Sequence, residues 1–426
     1  MRVLLSVLLA ALFESAASAQ ALTLERAVAL ALGRNERALA TLEQVKAAHA
    51  RVEKARAMLF PTISLSGTYT RRQEDVVRDL NGQTVVMQHA NGLGAELAVE
   101  STVLDARAFP LIREKRAEAA SEELAGADVR RRVAFLAADA FMATLGAEQV
   151  AAAARRHVDL MRQALADAKA RVHADLVGVN DETRAEAELS AATRVAIRAE
   201  ADVAAARLVL GDVLATDVHE PLEPPDGATV SGDPQVDRLV GEATARREDV
   251  AARARDVEAL RASAEEPALR LIPSLSLSGH AGATNEAGFG GQTFSWYLQA
   301  RLSWTAWDGG ARTADSDERE ALVRAGELDE AAARRAVALE VRTAAAAIDA
   351  AQRMLAEAER GAALATKSAR ESSALYRQGL LPALAVIDSN GRLFDAEVAV
   401  VTSRLSLLTA SLRLRGALGL MPVEPP

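Results

Sequence analysis

One order of patterns runs through this chain twice, and that repetition limits its possible folds more than any motif does. Each pass reads helix, strand, strand, very long helix, short break, helix. TISLSG after Pro61 returns as SLSLSG after Pro273, Asp105 matches Asp308, and Leu176-Val177 match Leu380-Leu381. Residues 20–219 form the first repeat and residues 235–426 the second. Between them, residues 220–234 are a Pro/Gly-rich linker.

The helical segments are long. Apolar residues at Leu24, Ala27, Val28, Ala31 and Leu32, then Leu39, Leu42 and Val45, keep helical spacing. Thr23 is placed to cap that helix and Pro61 to stop it, so one helix is expected from Leu24 to Leu59. Its counterpart spans residues 235–271. The long helices, expected over 105–171 and 311–376, would each reach on the order of 100 Å and need partners along their length. Shorter helices return over 182–214 and from the second break to Leu420. Hydrophobic residues make up 50% of the chain but aromatics only 3%, which favours thin, closely approached helices. The expected fold class is mainly α, long helices paired in coiled-coil fashion, with a small β part.

Four stretches alternate with a period of two: 62–70, 92–103, 274–281 and 294–307. Ile63, Leu65, Leu97, Val99, Trp296, Leu298, Leu302 and Trp304 make an apolar face, a candidate lipid surface. Glu96, Glu100 and Arg301 fall on the opposite face and suit a wet interior. A soluble sandwich shares this alternation, but Trp near both ends of a strand suits an aromatic girdle. Residues 71–91 read as a polar loop and 282–292 as a Gly-rich loop. Four strands are too few to close a barrel, and lipid does not tolerate open edges. Three chains together supply twelve strands, an allowed number.

Arg2, an apolar run from Val3 to Phe13, and Ala17-Ser18-Ala19 read as a cleavable signal peptide over residues 1–19. No later run reaches the roughly 20 apolar residues of a membrane-spanning helix. Export leaves a periplasmic, secreted or outer-membrane barrel protein. The absence of cysteine excludes disulfides, thiolate metal sites and a cysteine nucleophile. A net charge of −9 speaks against nucleic acid. Six scattered His form no metal-binding helix pair, and no nucleophile elbow or phosphate loop is present. No catalytic residue, metal or cofactor is therefore expected.

The breaks between helices carry the remaining signal. In LYRQGLLPALAVIDSN, Gly379 can end one helix in the left-handed conformation and Pro382 can start the next. VHADLVGVNDETRAE is the diluted first copy, with Asp175 where the second has Gly379. Asp175, Leu176, Val177, Gly178, Gly379, Leu380, Leu381 and Pro382 are candidate turn or docking residues.

Across the mature chain, LTLERAVALALGRN, ARAMLFPTISLSG, LSWTAWDGGARTA, LYRQGLLPALAVIDSN and GALGLMP occur in order. Together these stretches resemble TolC-like outer-membrane efflux proteins. The resemblance implies a homotrimer with one shared 12-stranded barrel in outer-membrane lipid of a Gram-negative cell and a helical tunnel in the periplasm. It implies a periplasmic adaptor and an inner-membrane pump, of RND or ABC type, as partners. It also implies a gate at the helical tips, with Asp181 and Tyr376 at the family's gate positions. Asp181 equally reads as an N-cap and Tyr376 as packing. The family's basic residue in the second tip is replaced by Leu381, which leaves Arg377 as a substitute. The function implied is the outer-membrane channel of a tripartite efflux or type I secretion system. A soluble periplasmic coiled-coil adaptor or scaffold is the alternative.

Overall fold

The computed structural model describes residues 21–80, 83–225, 235–286 and 292–423. The expected signal peptide, linker residues 226–234 and loop residues 287–291 lie outside the described residues. In order, the elements are α1 (Leu24–Arg34), α2 (Glu36–Ala57), β1 (Thr62–Arg71), β2 (Val76–Leu80), β3 (Gln83–Gln88), β4 (Asn91–Leu104), α3 (Ala108–His173) and α4 (Val179–Leu214). The second repeat gives α5 (Val236–Arg246), α6 (Glu248–Ala264), α7 (Glu266–Leu269), β5 (Ser274–Thr284), β6 (Phe294–Ser303), α8 (Ala311–Arg377) and α9 (Ala383–Ala417). The chain divides into two compact units, one of residues 44–124 and 251–332, the other of the remaining segments.

The first unit contains a four-stranded antiparallel sheet in the order β1-β4-β5-β6. Both repeats therefore contribute a hairpin, joined through β4 and β5. Two corrections follow. The stretch read as a loop holds a second ribbon, β2 paired with β3. It was illegible because its polar residues outnumber its apolar ones, while Val76, Val77, Val85 and Val86 still supply strand propensity. Moreover, β6 ends at Ser303, so Trp304 lies just beyond it. Its indole Nε1 donates to the Leu271 carbonyl at 3.2 Å. The ribbon's base is fastened across the repeats. Arg72 reaches Glu286 and donates to the His89 carbonyl at 2.9 Å, while Asn285 donates to the Asn91 carbonyl at 2.8 Å. Both long helices start at the matched aspartates: Asp105 accepts from the Arg107 amide at 3.0 Å, and Asp308 from the Gly310 amide at 3.1 Å.

The second unit is helical. One core gathers Leu24, Val28, Val133, Phe141, Leu210 and Leu214; another gathers Val337, Val341, Ile348, Leu407 and Leu414. Thr23 caps α1 as expected, accepting from the Arg26 amide at 3.3 Å. Leu22 forms a parallel bridge with Leu222. Contrary to the sequence reading, α3 does contain a stretch long and apolar enough to cross a bilayer. Its Val133, Ala137, Phe141 and Leu145 are spent on the first core.

The opening helix of each repeat is also broken where one continuous helix was expected. Asn35 and Arg247 leave the helical region at φ −64°, ψ 126° and φ −66°, ψ 125°. Their amides donate back to Ala31 at 2.9 Å and Ala243 at 3.0 Å. Their side chains then donate to the end of the returning helix, Asn35 to the Val213 carbonyl at 3.0 Å and Arg247 to the Ala417 carbonyl at 3.4 Å. Each break thus satisfies a carbonyl that a helix terminus leaves without an intrahelical partner.

Candidate functional site

Two features match the sequence candidates, the paired helical turns and the faces of the four-stranded sheet. The turns share one hydrogen-bond pattern. After α3, the Leu176 amide bonds the Arg171 carbonyl at 3.0 Å and the Asp175 amide bonds Val172 at 3.0 Å. After α8, Leu380 bonds Leu375 at 2.9 Å and Gly379 bonds Tyr376 at 2.9 Å. This is the Schellman arrangement, which demands a left-handed residue. Gly379 takes it at φ 76° without cost, and Asp175 takes it at φ 54°. The first turn therefore keeps the geometry of the second despite losing the glycine.

The next helix in each repeat starts from Gly178 or Pro382 as its N-cap, with no side-chain cap. Asp181 is therefore not the N-cap. It is the third residue of α4, since the helix starts at Val179 rather than near Glu182, and its charge complements the helix N-terminus there. Leu176, Gly178, Leu380 and Pro382 are exposed at the turns, while Val177 and Leu381 are half-buried.

Tyr376 is only 4% exposed and packs against Ala383 and Val386. The guanidinium of Arg171 lies over its ring, 4.1 Å from the centroid, and also donates to its backbone carbonyl. A cation over a ring face is attracted by the ring quadrupole. Burial pushes the Tyr376 phenol above its ordinary 10.0; Arg171 pulls against that shift, and Asp181 and Asp167 add to it. The structure thus brings both sequence candidates into one electrostatic neighbourhood. It adds Arg171, which sequence reasoning missed. The basic partner was sought at Leu381 or Arg377 in the second turn, but it comes from the first. Arg377 turns back on its own helix, its Nε donating to the Ser373 carbonyl at 3.3 Å.

On the sheet, the registers line up the apolar candidates. Leu65, Leu97, Ala281 and Trp296 form one row across all four strands, and Ile63, Val99, Gly279 and Leu298 the next. Leu302 pairs with Leu275. The face is open: Leu65 is 79% exposed and Leu298 is 78% exposed. The intervening rows are polar. Thr62, Glu100, Ser278 and Gln299 form one, and Ser64, Ala98, His280 and Tyr297 another. His280 Nδ1 meets Glu96 at 2.9 Å and its ring stacks on Tyr297 with centroids 4.6 Å apart. Arg301 contacts Gln299 at 3.5 Å on the same face. The outer strands β1 and β6 are paired on one side only among the described residues.

Comparisons with known proteins converge on one group. Residues 239–420 match the family model for outer membrane efflux proteins. No curated protein sequence matches the chain. Among solved structures, a membrane protein from Pseudomonas aeruginosa superposes with a TM-score of 0.80 at 22% identity, covering 93% of this chain and 92% of that one. The outer membrane protein VceC from Vibrio cholerae gives 0.77 at 15% identity, covering 93% and 96%. The MtrE outer membrane channel of Neisseria gonorrhoeae, in its open state, gives 0.71 at 17% identity, covering 93% and 89%.

Proposed function

From the premise that the chain has the TolC-like outer-membrane efflux channel fold, we propose that it is a passive exit duct. Three copies close one 12-stranded barrel in the outer membrane, and the helices form the periplasmic tunnel. The observation that carries this reading is the sheet. An antiparallel sheet with an exposed apolar face, whose edge strands β1 and β6 are paired on one side only among the described residues, suits lipid only after closure. Three sheets of four strands give an even number in the known range. A soluble adaptor has no use for Leu65, Trp296 and Leu298 in open rows.

The turns act as the periplasmic gate, with Asp181 and Tyr376 at its centre and Arg171 as the clasp. That assignment is supported by the cation over the Tyr376 ring, which joins the end of α3 to the end of α8. Exposed Leu176 and Leu380 suit docking of an adaptor, and the inner-membrane pump behind it supplies the energy of transport. The duct belongs to a tripartite efflux or type I secretion assembly. The chain carries a cleavable signal peptide for export.

Membrane fractionation and planar-bilayer conductance test the duct. The protein should require detergent and form channels. A purified chain that stays soluble without detergent and conducts nothing overturns the reading. For the gate, Arg171→Leu should raise conductance, and Asp181→Ala should weaken block by multivalent cations. Unchanged behaviour in both removes these residues from it.

A further inference from the structure

Trp304 stands beyond the end of β6, and other large apolar residues stand with it. All four strands of the sheet meet helices at one end, where Thr62 pairs with Glu100, Thr102 with Ser276 and Ser274 with Ser303. Each of these junctions carries exposed apolar side chains. Met58 and Phe60 lie between α2 and β1, and Leu271 and Ile272 between α7 and β5. Leu104 and Phe109 flank the step from β4 to α3, and Trp304 and Trp307 lie between β6 and α8. Phe60 is 67% exposed and Trp307 is 79% exposed, as open as the apolar rows of the sheet. The belt continues those rows: Leu104, Leu275 and Leu302 form one, and Trp304 follows Leu302 at the same parity. Both repeats supply it, since Phe60 and Ile272 each precede one of the matched prolines, Pro61 and Pro273.

We propose that this belt seats in the headgroup interface of the leaflet nearer the helices, so that the bilayer reaches past the strands onto the helix ends. Strand length supports it. β1 and β6 have 10 residues each. At about 3.3 Å per residue and a tilt of about 40°, they rise about 25 Å, the height of the apolar band alone. With its headgroup regions a bilayer is about 40–45 Å thick, so the interface falls on whatever adjoins the strands. Residue type agrees. Trp is the amphipathic side chain enriched at membrane interfaces, and two of the chain's 3 Trp stand in the belt. The Trp304 indole N–H is already taken up by the Leu271 carbonyl at 3.2 Å, so its ring enters lipid with no unmet donor.

Lipid fits this surface better than a second copy of the chain does. A neighbouring copy meets the sheet at its edges, β1 and β6. Leu104, Leu271 and Ile272 belong to the junctions of the inner strands β4 and β5, which edge pairing leaves open. The belt rests on the barrel reading, which places the sheet in the membrane; its position beyond the strands is an addition to that reading.

Depth-dependent quenching tests it, with the full chain reconstituted in phosphatidylcholine vesicles. Single-Trp variants keep Trp296, Trp304 or Trp307, with the other two changed to Phe. A fourth variant carries Ile272→Trp with all three native Trp changed to Phe. Phosphatidylcholine brominated near the headgroup end of its chains, or near their tips, is the probe. Trp304, Trp307 and the Ile272→Trp reporter should lose more emission to the shallow bromine than to the deep one, and should be shielded from aqueous iodide. The belt is overturned if Trp307 and the Ile272→Trp reporter are untouched by either lipid and open to iodide while Trp296 is quenched; the barrel reading then stands. If Trp296 is unquenched as well, the sheet is not in lipid and the duct reading falls with the belt.

Discussion

The two helix breaks offer a quantitative test, because one backbone geometry is held by different chemistry in each repeat. Arg247 is 10% exposed at its side chain and grips Asp249 through two hydrogen bonds of 2.9 and 2.8 Å. It also pairs with Glu340 on α8 and reaches the Ala417 carbonyl. Breaking a buried ion pair typically costs 3–5 kcal/mol. Here Asp249 and Glu340 are 36% and 52% exposed, so both carboxylates regain water when the guanidinium goes. That lowers the expected cost of Arg247→Met to about 2–3 kcal/mol. Asn35 makes one bond to Val213 and accepts from the Arg37 amide at 3.1 Å. Asn35→Ala should cost about 1–2 kcal/mol, the sum of a modest hydrogen bond and a helix cap. Urea melts of the helical circular-dichroism signal in detergent would rank them. A double-mutant cycle of Arg247→Met with Glu340→Gln isolates the pair and should show coupling of about 1 kcal/mol. The reasoning fails if Arg247→Met is no more destabilising than Asn35→Ala, or if the coupling is absent.

Three further outcomes are expected. Asp175→Gly should stabilise the first turn by about 0.5–1 kcal/mol, because it removes the left-handed strain at φ 54°, read as slower hydrogen exchange at the Leu176 amide; faster exchange would refute it. Leu298→Arg, in the open apolar row, should cost about 2–4 kcal/mol of stability in lipid and far less in detergent, whereas Gln299→Arg on the polar face should be near neutral. Burial holds His157 below its ordinary 6.5, against the pull of Asp395, Glu188 and Glu397, and its ring stacks on Phe394 at 4.7 Å. The folded state then takes up its proton later than the unfolded one. His157 stabilises fully above about pH 6.5, and that contribution is lost as pH falls through the depressed value. His157→Phe should flatten this acid sensitivity, and a melting profile as steep as the parent's would argue against it.

How much was legible follows from what kind of interaction sets each feature. The repeat, the four main strands and the long helices are local patterns, and Ile63, Leu65 and Leu298 announced their face through alternation alone. The breaks at Asn35 and Arg247 were invisible because helical spacing continues across them. What ends the helix is a tertiary bond to a carbonyl 178 residues away for Asn35 and 170 for Arg247. The β2–β3 ribbon hid for a related reason, since it is fastened by Arg72 to Glu286 in the other repeat. The turns were read correctly from Gly379, and Asp175 was flagged as the odd member. Arg171 was not, because nothing along the chain marks a residue that crosses to the other repeat.

That crossing bears on how a duplicated chain comes to work as one device. Duplication supplies two equal turns, two equal breaks and two equal helix starts. Equal parts can open independently. At the turns, one departure from equality joins one repeat to the other. Arg171, aligned with Leu375 by the shared turn pattern, reaches over Tyr376 of the second repeat. Arg131 in the first repeat donates to the Gly416 carbonyl at the end of the second. On the gate reading proposed above, selection for turns that move as a unit would act on these cross-repeat cations before it acted on either turn alone. On this logic, replacing the first turn sequence by a second copy of the second should preserve both Schellman turns yet lose the cation over the Tyr376 ring, because position 171 would then carry Leu as position 375 does.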